Sequence, residues 1–129
     1  MTFKSSAATH AGMVRKLNED AFAERTDIGV WAVADGMGGH EAGEVASGTV
    51  TDFFKNLSAK QDFGEMLEAV EQCIKAANHH LLEQAALYNS QRLPGSTVVV
   101  LLIRGVQGAV VWAGDSRIYR RRDQNVMQL

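Results

Sequence analysis

Three short segments of this chain are apolar on both of the faces that a strand would present, so a sheet built from them needs cover above and below. They are Ile28 to Ala34 (Ile-Gly-Val-Trp-Ala-Val-Ala), Thr97 to Ile103 and Ala109 to Ala113, and each has strand length with β-branched or aromatic residues. Only Arg104-Gly105-Val106-Gln107-Gly108 separates the last two. That is too short for a helical crossover, so an antiparallel hairpin is expected. A second tight turn at Asp115-Ser116 is expected to lead into another strand over Arg117 to Arg122.

Two helices are predicted between the strand groups. The first runs from about Ala42 to Leu57, with Glu41 and Glu44 at its opening, where the helix dipole favours negative charge. In the second, Leu67, Val70, Ile74, Ala77, Leu81 and Ala85 recur at three- and four-residue steps across Phe63 to Tyr88. Polar Ser58 to Asp62 separates the helices, and Asn89 to Gly95, with the sole proline Pro94, returns the chain to the sheet. The economical layout is an α+β fold with two antiparallel helices on one face of an antiparallel sheet. The other face then calls for a second sheet. After a turn at Asp123-Gln124-Asn125, Val126 to Leu129 begins another strand and stops, which suggests a truncated domain.

A chain of 129 residues, 46% of them hydrophobic, suits one domain with one core. Its 13 basic and 15 acidic side chains leave a net charge of −2, which gives no electrostatic case for nucleic acid or an anionic membrane. No apolar run approaches the roughly 20 residues that span a bilayer, and the N-terminus has no signal-peptide core, so the cytoplasm is the expected compartment. Cys73 is the only cysteine. No disulfide within the chain is available to it, and its neighbours Val70, Ile74 and Ala77 suggest a buried thiol.

The chemistry-bearing residues gather around three acidic strand ends: Arg15-Lys16-Leu17-Asn18-Glu19-Asp20, Ala34-Asp35-Gly36-Met37-Gly38-Gly39-His40 and Ala113-Gly114-Asp115-Ser116-Arg117. Glu19, Asp20, Asp35 and Asp115 supply the oxygen ligands that hard divalent cations such as Mg²⁺ or Mn²⁺ prefer. Asp35 is the best bridging candidate, since a strand would fix it while Gly36 allows a sharp turn and offers its carbonyl to the same metal. Two such ions about 3.5–4 Å apart lower the pKa of a bridging water toward ~7, giving a hydrolytic hydroxide without Ser, Cys or His. Arg15, four residues before Glu19, has the planar fork that grips a phosphate oxygen pair. Taken singly, each acidic residue is explained as well by turn chemistry or a solvated surface; together they point to one site.

The segments Gly12-Met13-Val14-Arg15-Lys16-Leu17-Asn18-Glu19-Asp20, Val33-Ala34-Asp35-Gly36-Met37-Gly38-Gly39-His40, Pro94-Gly95-Ser96-Thr97 and Ala113-Gly114-Asp115-Ser116-Arg117 occur in the order found in metal-dependent protein phosphatases of type 2C. The chain resembles the bacterial branch of that family, and residues 1–129 resemble the N-terminal portion of a single catalytic domain. The resemblance implies an α-β-β-α four-layer sandwich of antiparallel sheets with the metals at one end between the sheets. It implies that Arg15 binds substrate phosphate, that Asp35 bridges two Mn²⁺ or Mg²⁺ ions and that the Gly36 carbonyl ligates one of them. Glu19 and Asp20 would hold metal-bound waters or ligate directly, and Asp115 would help to bind a weaker third metal. The implied reaction is hydrolysis of phosphoserine and phosphothreonine by a metal-bound hydroxide, on proteins phosphorylated by a Ser/Thr kinase. Gly95-Ser96-Thr97 resembles a segment that starts a core strand and is assigned to structure.

Two departures bear on this expectation. Met37 stands where many relatives carry a His proposed as general acid, so the leaving-group proton must come from water or another residue; His40, at the start of a helix, reads better as a local cap. Family members also carry two further metal-ligand Asp residues in C-terminal Asp-Gly and Asp-Asn motifs, and none follows Asp123-Gln124 here. The expectation is therefore weak metal binding and little turnover for these 129 residues, with self-association through the uncovered sheet. The alternative is a non-catalytic binding or regulatory module on a phosphatase scaffold. Retention of the carboxylates favours the enzyme, since such a cluster without metal is repulsive. A zinc-protease helix at His40-Glu41-Ala42-Gly43-Glu44 is excluded because Glu44 stands where the second His belongs. His79-His80 point in different directions on a helix and make no zinc pair.

Overall fold

The computed structural model describes residues 2–39, 41–87 and 93–129. The chain forms β1 (Asp20–Arg25), β2 (Val30–Met37), α1 (Ala42–Lys55), α2 (Phe63–Leu87), β3 (Gly95–Ser96), β4 (Val98–Arg104), β5 (Gln107–Ala113), β6 (Tyr119–Arg122) and β7 (Asn125–Gln128). Strands β1, β2, β4 and β5 lie side by side in that order, all antiparallel, with short β3 pairing to the end of β2. Strands β6 and β7 make a separate antiparallel hairpin.

Both helices lie on one face of the large sheet, as the apolar periodicity predicts. Val30, Ala32 and Ala34 of β2 and Val98, Val100 and Leu102 of β4 pack there against Ala46, Val50 and Phe54 of α1 and Met66, Val70 and Ala77 of α2. Small side chains under α1 (Ala23, Ala32, Ala34) let the helix sit close to the strands. Phe54 has no solvent exposure, and burying a side chain of that size contributes about 1.5–3 kcal/mol. Arg25 closes the C-terminal end of α1: its Nη1 donates to the carbonyls of Phe54 at 3.1 Å, Lys55 at 2.8 Å and Leu57 at 2.9 Å. Those are carbonyls that a helix end otherwise leaves without partners. Its Nε and Nη2 meanwhile hold Asp27 at 2.9 Å each. The start of α2 is capped by Asp62, whose Oδ1 accepts the Glu65 amide at 2.8 Å. Cys73 is buried and free, and burial pushes its thiol up to about 11.

Several boundaries differ from the sequence expectation, each for a local reason. Strand β2 starts two residues later than Ile28 and runs on to Met37. Ile28 and Gly29 belong to the preceding turn, where Gly29 has a φ of +71° and a Cβ would lie 2.1 Å from the Ile103 carbonyl oxygen. The hairpin between β4 and β5 needs only Gly105 and Val106, with Arg104 opposite Gln107. Strand β1 goes unforeseen because its pattern, Asp-Ala-Phe-Ala-Glu-Arg, mixes charge with small residues on an edge. The first helix ends at Lys55 rather than Leu57. The second ends at Leu87, with Tyr88 outside the described residues.

Opposite the helices, Ile118, Tyr119 and Leu129 of the β6–β7 hairpin and its flanks face Leu101, Ile103 and Val110 across a groove of about 770 Å³. The second layer of sheet expected on this side is thus begun by the hairpin. The remainder of the face is open: Val33 is 50% and Trp112 62% exposed. Phe3 covers part of Trp31 edge-on, with ring centroids 5.6 Å apart. Among the described residues no helix is long and apolar enough to cross a membrane.

Candidate metal and phosphate site

Antiparallel register brings the first two acidic segments together. Asp20, the first residue of β1, is the direct partner of Asp35, and directly opposed residues share a sheet face. Asp35 therefore lies within β2, two residues before its end at Met37, rather than at the strand terminus. It continues the open-face row Trp31, Val33, Asp35, as the alternation of burial along β2 requires. Asp115 reaches the same edge from the bend after β5, which turns at Gly114 with a φ of +101°.

The electrostatics of Asp35 report the convergence. Its carboxyl is held above the ordinary carboxylate range, first by partial burial, then by the charge of Asp20, by a hydrogen bond shared with the Asp20 carboxyl and by the charge of Asp115. The guanidinium of Arg15 opposes the shift. Asp20, Asp115 and Arg15 thus all act on the Asp35 carboxyl from the same end of the open face.

Glu19 takes a different direction from its neighbour Asp20. Its backbone oxygen accepts the Gly36 amide at 2.9 Å, and its side chain lies against the first turn of α1, where a Cβ added to Gly43 would sit 2.4 Å from Oε1. A Cβ on Gly36 would meet the Gly43 carbonyl oxygen at 1.8 Å. The Gly36 backbone, whose carbonyl is a candidate ligand, is thereby seated directly on the helix start. Of the residues singled out from sequence, the structure gathers Arg15, Asp20, Asp35 and Asp115, keeps Gly36 next to Asp35, and turns Glu19 toward α1. Met37 is exposed at the end of β2. His40 lies outside the described residues.

Among the described residues no three His, Cys, Asp or Glu side chains gather closely enough to enclose an ion. The donor chemistry nevertheless fits a hard divalent cation, since the carboxylates offer oxygen alone and the charges of Asp20 and Asp115 both disfavour ionisation of Asp35.

Two residues not assigned to the site from sequence help to build it. Thr97 donates its amide to the Asp35 carbonyl at 2.9 Å and accepts the Asp35 amide on Oγ1 at 3.1 Å. The same oxygen lies 2.6 Å from Ser116 Oγ, beside Asp115. A signal was present in the sequence: both are hydroxyl residues within the motif segments, Thr97 ending one and Ser116 following Asp115 in another.

Residues 9–129 match the Protein phosphatase 2C family. The whole chain is 32% identical to the serine/threonine protein phosphatase PstP of Mycobacterium tuberculosis, of which it covers 25%. It is 28% identical over 128 residues to a serine/threonine phosphatase of Listeria welshimeri, matching 94% of this chain and 51% of that protein. Among solved structures, PppA, described as a key regulatory component of the T6SS in Pseudomonas aeruginosa, superposes with a TM-score of 0.93 at 37% identity, covering 99% of this chain and 55% of that one. The catalytic domain of PstP in complex with two manganese ions superposes with a TM-score of 0.86 at 33% identity, covering 96% and 53%. The chain thus spans between a quarter and about half of the length of these relatives. With the order of motifs, the sheet and helix layout and the acidic edge all in agreement, the chain belongs to the protein phosphatase 2C family.

Proposed function

We propose that the whole protein is a metal-dependent phosphatase that removes phosphate from phosphoserine and phosphothreonine of cytoplasmic proteins, opposing a Ser/Thr kinase. The observation that carries this reading is the convergence of Asp20, Asp35 and Asp115 with Arg15 at one edge of the open sheet face. Relatives named as serine/threonine phosphatases and a manganese-bound structural neighbour support it.

Asp35, Asp20, the Gly36 carbonyl and Asp115 would hold two Mn²⁺ or Mg²⁺ ions and a weaker third, with Glu19 contributing from the helix side. When bound, such ions polarise phosphoryl oxygens and acidify water. Arg15 grips two non-bridging phosphate oxygens through its fork and steadies the charge that builds on them in the transition state. Register with β1 and the hydrogen bonds exchanged with Thr97 keep Asp35 in place while a water oxygen, losing its proton to solvent, forms the new bond to phosphorus in line with the leaving oxygen. The P–O bond to the Ser or Thr side chain then breaks. Met37 has no proton to give, so the departing alkoxide takes its proton from water.

The test is hydrolysis of an aryl phosphate and of a phosphothreonine peptide by the full-length protein with Mn²⁺, with EDTA, and in the Asp35→Asn variant. Turnover only with metal and only with Asp35 is expected. Undiminished turnover in EDTA or in Asp35→Asn overturns the mechanism.

A further inference from the structure

The register of β2 against β4 pairs Val33 with Val99, which sets Asp35 opposite Thr97. In a regular antiparallel pair of the kind that exchanges both main-chain bonds, the Asp35 amide would go to the Thr97 carbonyl. Only one of the two bonds is of that kind: the Thr97 amide donates to the Asp35 carbonyl at 2.9 Å. The Asp35 amide goes instead to the Thr97 hydroxyl at 3.1 Å. The Thr97 carbonyl is taken at 2.8 Å by the hydroxyl of Ser96. A side chain has replaced a rung of the ladder at the strand position that carries the central carboxylate.

The same hydroxyl reaches the other acidic segment. Thr97 Oγ1 is 2.6 Å from Ser116 Oγ, one residue past Asp115. With one proton to donate and two lone pairs, a threonine hydroxyl serves the Asp35 amide and Ser116 together. Its methyl group is equally committed: a Cβ on Gly114 would lie 2.7 Å from Thr97 Cγ2, so the backbone before Asp115 rests on that methyl. Thr97 is 4% exposed, which shields these bonds from competing water.

We propose that Thr97 is a positioning residue whose hydroxyl fixes the placement of Asp35 relative to Asp115, and so sets how well the acidic edge takes up a divalent cation. This rests on the metal-site reading above. The hydroxyl and the methyl have separable tasks, the first joining the two acidic segments and the second supporting the bend at Gly114.

The separation makes the idea testable in the full-length protein, by titrating wild type, Thr97→Val, Thr97→Ser, Ser116→Ala and Asp35→Asn with Mn²⁺. Calorimetry reads the affinity, and a thermal melt in EDTA reads folding. Losing a residue that orients ligands weakens metal binding by about 10–100-fold, so Thr97→Val should bind Mn²⁺ at least about tenfold more weakly than wild type. Thr97→Ser keeps the hydroxyl and should stay near wild-type affinity while melting earlier, because the support beneath Gly114 is gone. Ser116→Ala, which severs only the link to the Asp115 segment, should fall between the two. Wild-type affinity in Thr97→Val, or equal weakening in Thr97→Ser, overturns the proposal. If Thr97→Val does not fold, Ser116→Ala decides, and unchanged affinity there overturns it. Failure of the underlying metal reading shows separately, as no Mn²⁺ uptake by wild type or undiminished uptake by Asp35→Asn, and it removes the proposal with it.

Discussion

The two faces of the large sheet come from the same strands, alternate residue by residue, and are both apolar, yet they behave oppositely. On the helix side Val30, Ala32, Ala34, Val100 and Leu102 are at most 1% exposed. On the other side Val33 is 50% and Trp112 62% exposed, and the same row of β2 ends in Asp35. Residue size separates the faces: alanines beneath α1 admit a helix at close range, whereas the open face presents Trp31 and Trp112. The covered face makes the fold and the open face carries the acidic residues Asp20 and Asp35.

The largest effect that tests this division is on the covered side. Phe54→Ala should cost about 3–5 kcal/mol, as for large-to-small changes in a packed core, while Val33→Ala on the open face should change stability by about 0.5 kcal/mol or less. Urea denaturation of both variants checks the contrast, and comparable losses would break it. Sedimentation extends the comparison. If the open apolar face drives self-association, Trp112→Ser should lower it, and a wild type that stays monomeric at high concentration would show that this face is tolerated in water.

A smaller effect is expected where the faces meet. Gly36→Ala would set a methyl 1.8 Å from the Gly43 carbonyl oxygen, a clash with backbone that has no rotamer to escape into. The cost should be about 1–3 kcal/mol, with Mn²⁺ uptake lost in step because the Asp35–Gly36 backbone moves off α1. Wild-type stability together with wild-type uptake would show that the seat on the helix does not position the loop.

Much of this division could be read in the sequence, though not evenly. The stripe of Leu67, Val70, Ile74, Ala77, Leu81 and Ala85 marks α2 because a helix covers one stripe and leaves polar residues elsewhere. The double apolarity of β2 and β4 announces cover on both sides but hides which face takes the helices, since alternation is visible only when one face is polar. The acidic edge was legible as three motifs. That they point to one site was legible too, but how they meet was not, because it depends on register: Asp20 meets Asp35 only once β1, an edge strand with weak apolar signal, pairs with β2. Register also splits Glu19 from Asp20, two neighbours that composition treats as a pair. Thr97 is legible as the structural start of a strand and its link to Asp35 is not, as a hydroxyl at a strand end gives no hint that it will replace a main-chain rung.

The smallest effect separates the faces by charge. Asp35 is held above the ordinary carboxylate range by partial burial, then by Asp20 and Asp115. Between the unfolded value and that raised one, the folded chain binds more protons than the unfolded chain, so stability rises as pH falls through the raised value and levels off below the unfolded one. Above it the ionised Asp35 opposes folding. Metal-free Asp35→Asn should therefore be more stable than wild type at neutral pH, with the gap closing toward pH ~4. Asp35 is exposed, and solvent screening limits the gain to about 0.5 kcal/mol. The helix side offers an internal control: Cys73, with its thiol pushed up to about 11, stays protonated throughout this window. Melting curves in EDTA from neutral to acidic pH check the sign, and a gap that stays constant or widens on acidification would separate Asp35 from the carboxylate cluster. Added Mn²⁺ should reverse the order by stabilising wild type and leaving Asp35→Asn behind, since a ligand raises stability only where the folded state binds it.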